Sequence, residues 1–215
     1  MVAPVDGAQP AVDGRRARRE RGRLAAIDAM LDLILEGHHP PPVEEIAERA
    51  DVSVASVYRY FETLDDLRAQ AIEQYFQRFS HLFEVPDVGV GTLDRRIRSL
   101  VDARAVQHET TSPVARMVRS RASEIADLDT NLRLLRASQS DQVRRHFEPE
   151  LATVAPAARD DTMATIATLT SFESWDQFQR AHHRSPAQTR RAWTKALHRI
   201  LDDLRPAEGA PPDAR

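Results

Sequence analysis

The sequence contains no cysteine, which excludes a disulfide framework, a thiolate metal site and a thiol nucleophile. Lysine is almost absent as well: Lys195 is the only one. Arginine is therefore the default cation throughout, and its presence in a segment is not by itself a sign of phosphate recognition. Glycine is scarce (7 of 215 residues) and aromatic residues make up 6%, a balance that favours helix over sheet. No apolar run approaches the ~20 residues needed to span a bilayer, and the first residues lack the apolar core of a signal peptide. These absences predict a cytoplasmic protein without a membrane partner. Alternating strand patterns and internal repeats are missing too. What is present, 41% hydrophobic and 29% charged residues with a net charge of -3, describes an ordinary soluble helical chain of one large or two small domains.

Net charge this close to zero does not bear on nucleic acid, but its distribution does. Residues 15–23, "RRARRERGR", hold six arginines against one glutamate. Such a run is either a solvated flank or a nucleic-acid arm. Residues 1–14, rich in Ala, Pro, Gly and Asp, are expected to be disordered. Helical periodicity begins at Leu24 and runs through Ile27, Leu31, Ile34 and Leu35 to Gly37. Val43, Ile46, Ala47 and Ala50 mark a second helix, and Ser53 is a good N-cap for a third ending near Phe61. Thr63 and Asp66 have capping-box-like spacing for a long fourth helix. Further helices are expected around 93–101, 113–121, 128–147, 161–182 and 186–204, about nine in all.

Between the second and third helices there is room only for a tight turn, which forces a steep crossing of the helix-turn-helix kind. At 100° per residue, Val54, Val57, Tyr58 and Phe61 share an inner side, and Ala55, Ser56, Arg59 and Tyr60 an outer one. Small residues at the start of that outer face allow close approach to a major groove, and Arg59 can offer paired donors to guanine. Two ordinary core helices with a solvated outer face would share this spacing.

The stretch "VEEIAERADVSVASVYRYFETLDDL" resembles the helix-turn-helix of the tetracycline-repressor (TetR) family of bacterial transcription regulators. Ile46-Ala47, the turn Ala50-Asp51-Val52-Ser53, and then Ser56, Val57, Tyr58, Tyr60 and Phe61 fit its pattern. The stretch "LTSFESWDQFQRAHHRSPAQTRRAWTKALHRIL" is similar to the family's last two helices. Two positions depart. Asp51 stands where the family turn has glycine and must adopt a left-handed conformation, which Asp tolerates better than most residues. Leu64 stands where relatives have a phosphate-contacting lysine.

The resemblance implies an all-α protein with this organisation: a disordered tail (1–14), a three-helix DNA-binding domain with its basic arm (15–63, motif about 42–61), a helical ligand-binding and dimerisation domain (64–205), and a tail (206–215). It implies a ligand-responsive, sequence-specific repressor that binds double-stranded operator DNA as a homodimer and is released by a small, mostly apolar effector. Ala55, Ser56 and Arg59 would face base edges, while Ser53, Tyr58, Tyr60 and Thr63 hold phosphates. The motif from Pro42 to Gln70 carries seven acids against three arginines, so Arg15, Arg16, Arg18 and Arg19 would supply the positive potential. Trp193, Leu197, Ile200 and Leu201 would form the dimer interface. Arg104, His108, Met117, Arg121, Phe147, Phe172 and Trp175 are the candidates for the effector site. A nucleoid-binding structural protein on the same fold, without an effector, is the alternative. His38-His39 and His182-His183 lack ligand spacing, "GVG" at 89–91 lacks a dinucleotide loop, and no catalytic triad is legible. No metal, no cofactor and no enzymatic activity are expected.

Overall fold

The computed structural model describes residues 9–38 and 40–204, so His39, residues 1–8 and the tail from 205 lie outside the described residues. The described chain is all-α, with ten α-helices and no strand, and falls into two compact units that divide after Phe79.

The first unit holds α1 (Gln9–Leu35), α2 (Val43–Arg49), α3 (Val54–Tyr60) and α4 (Leu64–Phe79). α1 starts at Gln9, inside the stretch expected to be disordered, so Arg15 to Arg23 sit on a helix and not on an extended arm. Its buried face is Ala26, Ile27, Met30, Leu31 and Ile34. Gly37, at φ 102, ends it: the N–H groups of Gly37 and His38 turn back to the carbonyls of Ile34 (3.0 Å) and Leu33 (3.0 Å), satisfying acceptors the helix leaves open. α2 and α3 are two turns each and are held by burying Ile46, Ala47 and Val57 rather than by their own propensity. α4 packs on α1 through Leu67, Ala71 and Tyr75. That packing places the unit boundary after Phe79 and not after Thr63.

The second unit opens with a 3₁₀ turn (Ser80–Phe83) and the 29-residue α5 (Leu93–Arg121). The sequence pattern suggests two helices here, parted before Pro113. The helix instead runs through Pro113, with Thr111 and Ser112 hydroxyls donating to the carbonyls of Gln107 (2.7 Å) and His108 (2.6 Å). α6 (Ala126–His146), the one-turn α7 (Glu148–Leu151) and α8 (Pro156–Leu169) follow. The single helix expected over 161–182 is broken at Thr170-Ser171, where Ser171 caps the short α9 (Phe172–Asp176), and a π turn (Gln177–Ala181) continues from it. This explains the apolar stripe Met163, Ile166, Leu169, Phe172, Trp175, Phe178. A step of three drifts around a regular helix, but the break and the wider turn reset the phase, so that Ile166, Phe172 and Trp175 are all buried. α10 (Pro186–Asp202) starts with a complete capping box between Ser185 and Gln188 and packs on α5. Lys195 lies on its exposed side.

Candidate functional site

α3 is positioned by both of its ends. At the N-terminus, the Ser53 hydroxyl accepts the Ser56 N–H at 3.1 Å and shares a further bond with the Ser56 hydroxyl at 2.9 Å. Before it, the N–H groups of Asp51 and Val52 bond to the carbonyls of Glu48 (3.1 Å) and Ala47 (3.0 Å), and Asp51 sits at φ 52. The left-handed turn expected at Asp51 is therefore present, carried by a residue that has a Cβ. At the C-terminus, Arg19 of α1 donates to the Arg59 carbonyl at 3.2 Å. The Thr63 hydroxyl caps α4 by accepting the Asp66 N–H at 3.0 Å, while the Asp66 carboxylate reaches the Glu62 N–H (3.4 Å), one residue short of a full capping box.

The outward face of α3 differs from the helical-wheel expectation in its two tyrosines. Tyr58, placed inward by the wheel, is 54% exposed. Tyr60, placed outward, is half-buried and rests on α1 at Gly22, where an added Cβ would lie 2.6 Å from the Tyr60 hydroxyl. The reason is that Phe61 is extended, not helical, so the inner side is centred on Val57 with Val54 and Tyr60 flanking it. Gly22 is the residue that the sequence pattern does not single out: a glycine inside a helix costs about 1 kcal/mol against alanine and marks a close approach. Ala55, Tyr58 and Arg59 remain exposed, with Ser56 at the edge. The Arg59 guanidinium bonds the Ser56 hydroxyl (2.9 Å) and lies 5.6 Å from the Tyr60 ring centre.

Arg19, Tyr58, Arg59, Tyr60, Thr63 and Asp66 border an open cleft of about 710 Å³. Arg15, Arg16, Arg18 and Arg21 are exposed on α1. Of the other cations here, Arg49 is held by both oxygens of Glu36 at 2.8 Å, Arg68 pairs with Asp65, and Arg23 pairs with Glu20 at 2.8 Å. Beyond the α1 arginines, Arg59 is the motif cation best placed to face outward.

In the second unit the effector candidates separate into two groups. Arg104, His108, Phe147, Phe172 and Trp175 are buried within one core. The His108 ring lies 5.8 Å from Phe172, 6.0 Å from Trp175 and 6.1 Å from Trp193, and its Nε2–H donates to the Thr170 carbonyl at 3.0 Å. Burial pushes His108 down to about 4, against that hydrogen bond, so the imidazole is neutral. Met117 and Arg121 are half-buried and lie roughly 20 and 25 Å further along α5 than Arg104 at 1.5 Å per residue; they do not join the cluster. Glu173 rims it. Although burial raises its carboxyl, Arg119 (3.0 Å) and Arg136 (2.7 Å) outweigh that and hold it down at about 2.

The residues expected at a dimer interface lie on the inner side of α10. Trp193, Leu197 and Leu201 have no exposed surface within their own chain, and Ile200 packs against the same core. The stripe on α10 faces α5, so its apolar surface is already covered inside one molecule.

Residues 32–71 match the family described as bacterial regulatory proteins, tetR family. Over those residues the chain is similar to the DNA-binding segment of the tetR family. It is 32% identical over 117 residues to the HTH-type transcriptional repressor KstR of Mycolicibacterium smegmatis, covering 53% of this chain and 55% of that protein. Against the KstR of Mycobacterium tuberculosis the identity is 30% over 142 residues, covering 65% of this chain and 60% of that one. The chain thus spans somewhat over half the length of these relatives. In fold it is similar to the crystal structure of a transcriptional regulator from Rhodococcus sp. Rha1, with a TM-score of 0.61 at 19% identity, covering 86% of this chain and 96% of that one. The matched tetR segment begins inside α1 and ends inside α4, so it contains the whole of α2, the turn and α3. No helix among the described residues is long and apolar enough to cross a membrane.

Proposed function

We propose that this chain is a sequence-specific transcriptional repressor of the tetR family, working in the cytoplasm as a homodimer on a palindromic operator and released by a small, mostly apolar effector held in the second unit. The outer face of α3 carries the reading. Ala55 keeps that face low near the helix N-terminus, and Arg59 offers the paired N–H donors that suit guanine O6 and N7. Tyr58, exposed beside them, is suited to phosphate oxygens. Ser53, Ser56 and Thr63 spend their hydroxyls on caps and on Arg59, so phosphate contacts at Ser53 and Thr63 would fall to their backbone N–H groups. The helical arginines of α1 provide the attraction that the acidic motif cannot. Reading both halves of a palindrome needs two copies of α3; the outward sides of α8, small and polar at Ala157, Ala164, Thr165 and Thr168, and of α10, cationic at Arg191, Lys195 and Arg199, are the surfaces left to join them. Both KstR relatives are named as transcriptional repressors, which supports the same conclusion.

The test is selection of duplex DNA from a random pool by the full chain. A two-fold symmetric site should be enriched. On it, Arg59→Ala should cost about 1–3 kcal/mol of binding, and less on scrambled DNA. Equal losses on both DNAs would make Arg59 a phosphate contact, and no enrichment would end the sequence-specific reading.

A further inference from the structure

We propose that the effector is a carboxylate joined to a flat apolar body, and that Arg104 takes its charge. This rests on the effector reading above and adds the chemistry of the ligand.

Arg104 sits mid-α5 and is 1% exposed. Among the described residues its guanidinium reaches only neutral acceptors: Gln142 Oε1 at 3.1 Å, Gln107 Oε1 at 3.3 Å and the Gln139 carbonyl at 3.5 Å. Charge-assisted bonds run shorter, at about 2.7–2.9 Å. Three acids of the unit are engaged by other arginines: Glu173 by Arg119 and Arg136, Asp176 by Arg116, Asp141 by Arg144 and Arg145. Arg96, two turns earlier on α5 and 6% exposed, makes the contrast, because it is paired with Glu150. The same helix therefore gives one buried arginine a carboxylate from its own chain and the other none among the described residues. An interior cation without a counter-charge is strongly disfavoured, and burial alone pushes Arg104 down to about 10.

A second observation is independent of charge. The indole N–H of Trp193 is buried and has no hydrogen-bond partner among the described residues, although a buried indole ordinarily finds one. Its ring adjoins His108, which lies four residues after Arg104 and so on the same side of α5. One ligand answers both. Its carboxylate meets the planar guanidinium, which suits that shape bidentately. Its flat body lies along the rings of His108, Phe172 and Trp175, and an oxygen accepts from Trp193.

Benzoate and benzamide share a ring and a size and differ in charge. Trp175 and Trp193 are the only tryptophans and lie 5.8 Å apart in this cluster, so emission of the full-length protein reports on it. Benzoate should saturate the emission change at a concentration about ten-fold or more below benzamide. Arg104→Met should abolish that preference by weakening benzoate far more than benzamide, and raise the thermal midpoint of the ligand-free protein by removing a desolvated charge. Arg104→Lys should retain part of the preference. Equal affinity for the two compounds, binding of neither, a preference that survives Arg104→Met, or a lowered midpoint in that variant would overturn the proposal. Operator binding separates the two readings. If both compounds release DNA equally, the effector role stands without the anion. If benzoate binds through Arg104 and leaves DNA affinity unchanged, the anion site stands without the effector role.

Discussion

In the first unit the buried side chains are apolar, and the ion pairs Arg49–Glu36 and Arg78–Asp32 lie at the surface. In the second, Arg96, Arg104, His108 and His146 are buried along with several amides and hydroxyls. His146 is fully engaged, donating from Nε2 to the Arg96 carbonyl (2.8 Å) and accepting the Gly89 N–H at Nδ1 (3.1 Å). Exposed pairs contribute about 0–1 kcal/mol each, so the first unit is held by its small apolar core and leaves its charged surface free for a polyanion. The second unit commits polar groups to its interior, where each must be satisfied or must have a use.

The largest expected effect tests that contrast directly. Leu197→Asp places a charge where the side chain has no exposed surface and should cost more than about 4 kcal/mol in denaturant unfolding. Ala55→Asp, on the exposed face of α3, should stay within about 0.5 kcal/mol. Comparable losses would mean that burial at Leu197 does not set the cost of a charge there.

Acid should act next, and through the second unit. His108 is held neutral down to about 4, whereas an unfolded histidine binds a proton near 6.5. Between these values the unfolded state carries more protons, so stability falls as pH drops from 6.5 to 4, by up to roughly 3 kcal/mol. Glu173, at about 2, extends the loss below pH 4.5. His108→Gln should flatten the upper part of the curve; an unchanged slope would remove His108 as its source.

For the first unit, Arg16→Gln combined with Arg18→Gln should flatten the dependence of log DNA affinity on log salt by about 0.9 for each phosphate no longer neutralised. That is roughly 2 to 4 units for a dimer if one or both arginines reach the backbone. Arg19 is kept because it holds the Arg59 carbonyl. Cognate discrimination should hardly change, since phosphate contacts position and base contacts specify. A constant salt slope would reduce the α1 arginines to a solvated flank. The smallest effect is expected at Asp51→Gly, which relieves a left-handed residue and should stabilise the first unit by about 0.5–1 kcal/mol in thermal unfolding, without altering DNA preference.

How much of this is legible in the sequence follows the same divide. Most of the motif from Val43 to Phe61, including the left-handed Asp51, can be read because those positions have a local steric or capping reason. The reversed roles of Tyr58 and Tyr60 cannot, because they depend on where Phe61 leaves the helix and on Gly22, far away in sequence. In the second unit the pattern of apolar residues locates helices but not their partners. Trp193, Leu197 and Leu201 make the same stripe whether they cover α5 or a neighbouring molecule. Pro113 looks like a boundary because the hydroxyls of Thr111 and Ser112, which engage the carbonyls of Gln107 and His108, leave no periodic signal. Arg104 stands out as a candidate from its place among the middle helices, but its lack of a carboxylate partner is a property of the packed interior alone.

Lys195 carries the only side-chain primary amine in the sequence and stands on the exposed side of α10. Above about pH 8, an acylating dye therefore has one internal target, and the conjugate is chemically uniform except at the chain's own amino terminus. That target lies on α10, whose outer side is proposed above for subunit pairing. Energy transfer between donor- and acceptor-labelled batches would follow the exchange of subunits in real time, with no cysteine to introduce.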